Sequence, residues 1–112
     1  MALGKRRIIS GGFNVYPAEV EGAIEALPGV AECAVIGVPH ADFGEGVVAV
    51  VTSKPGASLD EAQMLRSLGS ELAKYKLPKR IILADSLPRN AMGKVQKNEL
   101  RERHKTSFTP AG

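Results

Sequence analysis

The sequence predicts a small α+β domain: a mostly antiparallel sheet of about three strands flanked by helices and preceded by a short β-hairpin. Two observations carry this. Residues 30–38, 47–52 and 80–84 are apolar and rich in β-branched side chains, which fit a pleated, largely buried surface. Around and between them, residues 17–27, 58–77 and 95–104 show helical spacing or helix punctuation. Helices interspersed with strands in this mixed order give layers of helix packed on sheet.

The elements follow in order. Ser10-Gly11-Gly12 lies between short extended pieces from Arg7 to Val15, and paired glycines between apolar runs signal a hairpin. Pro17 suits a first helical turn, because its missing amide hydrogen would have no partner there. Glu19 and Glu21 complement the helix dipole, Val20, Ile24 and Leu27 recur at helical spacing, and Pro28-Gly29 ends the run. Two strands then flank a loop over residues 39–46. Ser58-Leu59-Asp60-Glu61 reads as a capping box opening a second helix, whose inner face carries Ala62, Leu65, Leu68, Leu72 and Tyr75 until Pro78. Arg80 to Ala84 is a third strand, Asp85 to Gly93 a loop, and Val95 to His104 a short basic helix.

A chain of 112 residues holds one domain. Its 44% hydrophobic and 24% charged content excludes a disordered or collagen-like chain. No run approaches the roughly 20 apolar residues of a membrane span, and the basic start lacks the apolar stretch of a signal peptide, so a cytoplasmic location without a membrane span is expected. The single Cys33 forms no internal disulfide, and two histidines make a zinc site unexpected, so no metal ligands are assigned. Cys33 reads as a core residue and His40 as a loop residue.

Charge is divided along the chain. From Ile8 to Leu65 eight acids face one base, whereas from Arg66 onward eleven bases face four acids. A polarised surface able to meet phosphate groups would give this pattern, and so would a solvated charge pattern with no ligand. The net charge of +3 is too modest to imply nucleic acid, and no nucleic-acid-binding motif is present.

Three segments could carry chemistry. Leu87-Pro88-Arg89-Asn90-Ala91-Met92-Gly93-Lys94 ends in Gly-Lys, but Pro88 and Val95 stand where a Walker loop needs Gly and Ser or Thr. It offers instead an exposed lysine whose charge can stabilise a developing phosphoryl or carboxyl oxygen. Ser10-Gly11-Gly12 allows positive φ and close approach to a ligand, or is simply a tight turn. Lys74-Tyr75-Lys76-Leu77-Pro78-Lys79-Arg80 sets an aromatic ring among cations, as a nucleotide contact or a basic helix end would.

Taken together these segments resemble the C-terminal domain of the adenylate-forming superfamily: acyl-CoA synthetases, peptide-synthetase adenylation domains and luciferases. The resemblance runs through residues 8–21, Val35 to Pro39 with Gly44-Glu45, Tyr75 to Pro78, and Leu87 to Lys94. Phe13 to Pro17 and Pro39 to Val47 look most like malonyl-CoA synthetases. The resemblance implies an ATP-dependent, AMP-forming ligase that needs Mg2+. A carboxylate first attacks the α-phosphate of ATP, and CoA then displaces AMP to give a thioester. The small domain turns between the two steps. Lys94 matches the adenylation lysine; Ser10, Gly11 and Gly12 match the hairpin that faces pantetheine; Tyr75 and Lys79 match contacts to the CoA nucleotide. ATP and Mg2+ would be bound mainly by an N-terminal domain of the same enzyme, and a lysine acetyltransferase and deacetylase could act on Lys94.

The family's hinge region falls on Gly4-Lys5-Arg6-Arg7, where Arg6 stands in place of the usual acid or lysine. Either the hinge chemistry differs or the chain has an artificial start, which Met1 at the family's domain junction favours. Residues 1–7 are thus a linker or hinge, 8–105 the lid domain and 106–112 a frayed tail. Such a lid alone is expected to be inactive, since so short a chain has little room for a nucleotide cradle, an acyl pocket and catalytic groups together. The alternative is a stand-alone binding module or a small subunit complementing a separate adenylating domain.

Overall fold

The computed structural model describes residues 7–108. Strands β1 (Ile8–Ser10) and β2 (Phe13–Val15) form the hairpin and are followed by α1 (Pro17–Glu25). Strands β3 (Val30–His40) and β4 (Gly44–Ser53) form a long antiparallel pair from Val30↔Ser53 to His40↔Gly44. Helix α2 (Glu61–Leu68), a 3-10 turn (Lys74–Lys76), β5 (Arg80–Leu83) and α3 (Lys97–His104) complete the chain.

The sheet has five strands, more than the three expected, because the hairpin joins it: β1 pairs with β4 at Ser10↔Gly44. Further along the same edge of β4, β5 runs parallel over Val48↔Arg80 to Val51↔Leu83. The sheet is therefore mostly antiparallel with one parallel pair.

Both faces are covered, so the central strands read as unbroken apolar runs rather than as an alternation. One face buries Val35, Val47, Ala49 and Val51 against Val20 and Ile24 of α1 and Met64 and Leu68 of α2. The other buries Ala34, Ile36, Val38, Val48 and Val50 against Leu87 and Leu100. Leu100 is the one side chain of α3 that is fully buried. Its truncation should cost about 2–5 kcal/mol.

Helix boundaries differ from expectation for local reasons. The cap of α2 is Asp60, whose carboxylate accepts from the Gln63 amide at 2.9 Å, so the Ser58 box does not form. The helix stops at Leu68, and Met64 rather than Ala62 faces the core. Tyr75 thereby leaves the helix face and belongs to the 3-10 turn. The loop between β3 and β4 shrinks to residues 41–43. Helix α3 starts at Lys97, because Val95 is held in a bridge to Arg89. Phe108 bridges His40 and packs at the edge of the second core.

Candidate functional site

The glycines of the first hairpin create a surface as well as a turn. Gly11 and Gly12 have φ of +60° and +86°, the consecutive positive values of a tight two-residue turn. The Gly11 amide donates to the Phe43 carbonyl at 2.9 Å, and the Ile9 amide donates to the Glu45 carboxylate at 2.9 Å. A Cβ on Gly11 would lie 2.8 Å from the Phe43 ring, so glycine is needed there for contact as well as for conformation. These contacts clip the hairpin onto the β3–β4 turn.

An open groove of about 360 Å³ results, lined by Ser10, Gly11, Phe13, Phe43, Lys74, Tyr75 and Lys79. The Phe13 and Tyr75 rings stack with centroids 4.7 Å apart. The Lys79 ammonium sits 3.9 Å from the centroid of Phe43, a cation–π contact that holds the charge at the rim. His40 supports the turn from behind: its Nδ1 accepts from the amides of Asp42 and Phe43, and its ring packs between Phe43 and Phe108. Exposed aromatic rings beside ammonium groups suit a ligand that offers a flat heterocycle and phosphates.

Lys94 is elsewhere, on a loop closed by its own hydrogen bonds. The Asn90 side-chain oxygen accepts from the amides of Met92 and Lys94, the Asn90 amide donates to the Lys94 carbonyl, and the Gly93 amide donates to the Asn90 carbonyl. Gly93 takes φ of +84°, which closes the turn. The backbone at Lys94 is therefore fixed. Its side chain is exposed, and its ammonium makes no hydrogen bond or ion pair with the described residues.

The two regions lie at opposite ends of the β3–β4 pair. Arg89 of the lysine loop pairs with Glu32 near the start of β3, whereas the groove forms around the turn after His40. Eight residues separate Glu32 from His40 along the strand, roughly 26 Å at the usual rise.

The charge division folds into ion pairs. Lys76–Glu19 at 2.8 Å, Arg80–Glu61 at 2.9 Å, Lys97–Glu21 at 2.7 Å and Arg89–Glu32 each join a base of the second half to an acid of the first. The two halves of the sequence are thus not two faces of the molecule. The hydrogen bond that Lys76 donates to the Glu19 carboxylate raises the Lys76 pKa and keeps that lysine charged. Cys33 is buried in the first core, and burial, with Glu21 and Glu25 nearby, pushes its thiol up to about 12. No group of three or more His, Cys, Asp or Glu that could hold a metal ion is present among the described residues. Among them, no helix is long and apolar enough to cross a membrane.

Of the residues singled out in the sequence, Ser10, Gly11, Tyr75 and Lys79 meet in one groove, Gly12 stands outside its lining, and Lys94 is remote from it. Lys5 and Arg6 lie outside the described residues. Phe13 and Phe43 were missed as groove residues, although the aromatic before Gly44 and the aromatic after Gly12 were visible signals.

Residues 19–94 match the family profile described as the AMP-binding enzyme C-terminal domain. ATP-bound MatB from Rhodopseudomonas palustris superposes with a TM-score of 0.91 at 61% identity, over 95% of this chain and 21% of that one. A long-chain-fatty-acid–CoA ligase from Mycobacterium tuberculosis is 48% identical over 89% of this chain and 20% of its own length. An indoleacetate–CoA ligase from Aromatoleum aromaticum is 47% identical over 88% of this chain and 19% of its own. The chain spans about a fifth of the length of these relatives.

Proposed function

Because the chain belongs to the AMP-binding enzyme C-terminal domain family, we propose that it is the moving lid of an ATP-dependent, AMP-forming acyl-CoA ligase. The observation that carries this is the separation of two unlike sites on one rigid sheet. Lys94 presents a bare ammonium on a fixed loop, which suits the carboxylate and α-phosphate oxygens of the adenylation step. The groove between the hairpin and the 3-10 turn suits the CoA nucleotide, with Phe13 and Tyr75 as a stacking platform and Lys74 and Lys79 at the phosphates. Ser10 and Gly11 line the path toward pantetheine, with Gly12 at the exposed tip of the turn. With roughly 26 Å of strand between them, the two sites serve one reaction centre only in turn.

The rest of the reaction belongs to a large domain that contributes ATP, acyl and Mg2+ binding. Malonate or another small or medium carboxylate is the proposed acyl substrate. The resemblance of residues 13–17 and 39–47 to malonyl-CoA synthetases supports it, as does the 61% identity to MatB, against 48% and 47% for the fatty-acid and indoleacetate ligases. Acetylation of Lys94 would remove its charge and stop adenylation alone.

The test is complementation. The isolated chain should catalyse no malonate-dependent exchange of pyrophosphate into ATP, and it should restore that exchange when it replaces the corresponding fifth of Rhodopseudomonas palustris MatB. Exchange by the isolated chain, or a silent chimera that folds normally, would sink the proposal.

A further inference from the structure

Lys94 is aimed by contacts that begin outside its own loop. Strand β3 has a register shift between Val30 and Glu32. Such a bulge re-aims the side chains on either side of it. Val30 joins the core beneath α1 and α2, while Glu32 falls in step with Ala34, Ile36 and Val38, whose face packs against Leu87, Val95 and α3. On that face the Glu32 carboxylate accepts from Nη2 of Arg89, and Nη1 of the same guanidinium donates to the Gly93 carbonyl at 2.7 Å. Gly93 immediately precedes Lys94. The fork thus ties the loop's last turn to the strand that runs through the domain.

The Asn90 hydrogen bonds close the loop upon itself but do not fix it to the sheet. Arg89 does both, since one nitrogen is inside the loop and the other on Glu32. We propose that Glu32 is the positioning residue for the lysine of the adenylation step: by holding Arg89 it fixes the Gly93 carbonyl and hence the point from which the Lys94 side chain leaves the backbone. The inference rests on the adenylation reading of Lys94. Glu32 touches no substrate. Both partners of the pair are substantially exposed, at 36% for Arg89 and 47% for Glu32, so the contact contributes little to folding. Its effect falls on geometry, where a displacement of about 1 Å lowers a rate by up to about 100-fold.

In the MatB chimera carrying this chain, Glu32→Ala is expected to lower malonate-dependent pyrophosphate exchange by about 10-fold. Thioester formation from supplied malonyl-adenylate and CoA, and the melting temperature, should stay unchanged. Glu32→Gln keeps an acceptor for Arg89 and should recover most of the exchange rate. An equal loss in both half-reactions, or no loss in either, overturns the inference. Lys94→Ala runs alongside. If it abolishes exchange while Glu32→Ala does not lower it, only the positioning role falls; if it leaves exchange intact, the adenylation reading falls and takes the positioning role with it.

Discussion

The lysine loop and the hairpin groove use opposite strategies at the two ends of one strand pair. The loop has a backbone locked by Asn90 and Arg89 and presents the Lys94 ammonium without a hydrogen bond or ion pair to the described residues. In the groove the side chains are engaged with one another: Tyr75 lies on Phe13 and Lys79 over Phe43. A group that must stabilise charge on a small moving centre gains from being unpaired, since any resident carboxylate would have to be displaced first. A surface that receives a large ligand gains from being formed beforehand, because less ordering is then needed on binding. The lesson is that rigidity is placed in the backbone at one end and in the side chains at the other.

The largest expected effect breaks the comparison at the loop. In the MatB chimera, Lys94→Ala should reduce pyrophosphate exchange by about 100- to 1,000-fold, the range seen when one oxyanion-stabilising donor is removed. Thioester formation from supplied adenylate should remain near the parent rate. A parallel loss of both half-reactions would mean that the two ends are not functionally separate.

A smaller effect is expected from the groove. Tyr75→Ala removes the stacking surface and should raise the KM for CoA by about 10-fold, within the ~1–3 kcal/mol of a base on an aromatic ring. Pyrophosphate exchange, which needs no CoA, should not change. An unchanged KM would remove Tyr75 from the nucleotide subsite while leaving the lysine reading intact.

The smallest effect concerns the support beneath the groove and depends on pH. Glu61, at the start of α2, accepts from the Ile81 amide and from Arg80, beside groove residue Lys79. The backbone hydrogen bond from Ile81, assisted by Arg80 and opposed by burial, lowers the carboxyl pKa. The folded value lies below the unfolded one, so the stabilisation is present above the ordinary glutamate range and is lost as pH falls through the lowered folded value. The difference in melting temperature between the parent and Glu61→Gln should be positive at neutral pH and shrink as the pH falls below the ordinary glutamate range. A gap independent of pH would show that the carboxylate's charge contributes nothing there.

Sequence by itself determined the α+β class, the glycine turn, α1 and the β-branched strands, because each is a local preference: positive φ at Gly11, proline at the start of α1, runs of β-branched residues in β3 and β4. It also offered Lys94 and the basic Tyr75 segment as sites through motif spacing. Tertiary structure alone decided the rest. The hairpin became part of the sheet through one pair, Ser10↔Gly44, which no local pattern encodes. The same approach brought Phe43 beneath Gly11 and made a groove from segments more than 30 residues apart. The apparent division of charge vanished because acids of the first half folded against bases of the second. Glu32 met Arg89, 57 residues away, after a bulge set its direction. Local preferences act over a few residues and are written in spacing, whereas these contacts depend on which strands pair and in what register.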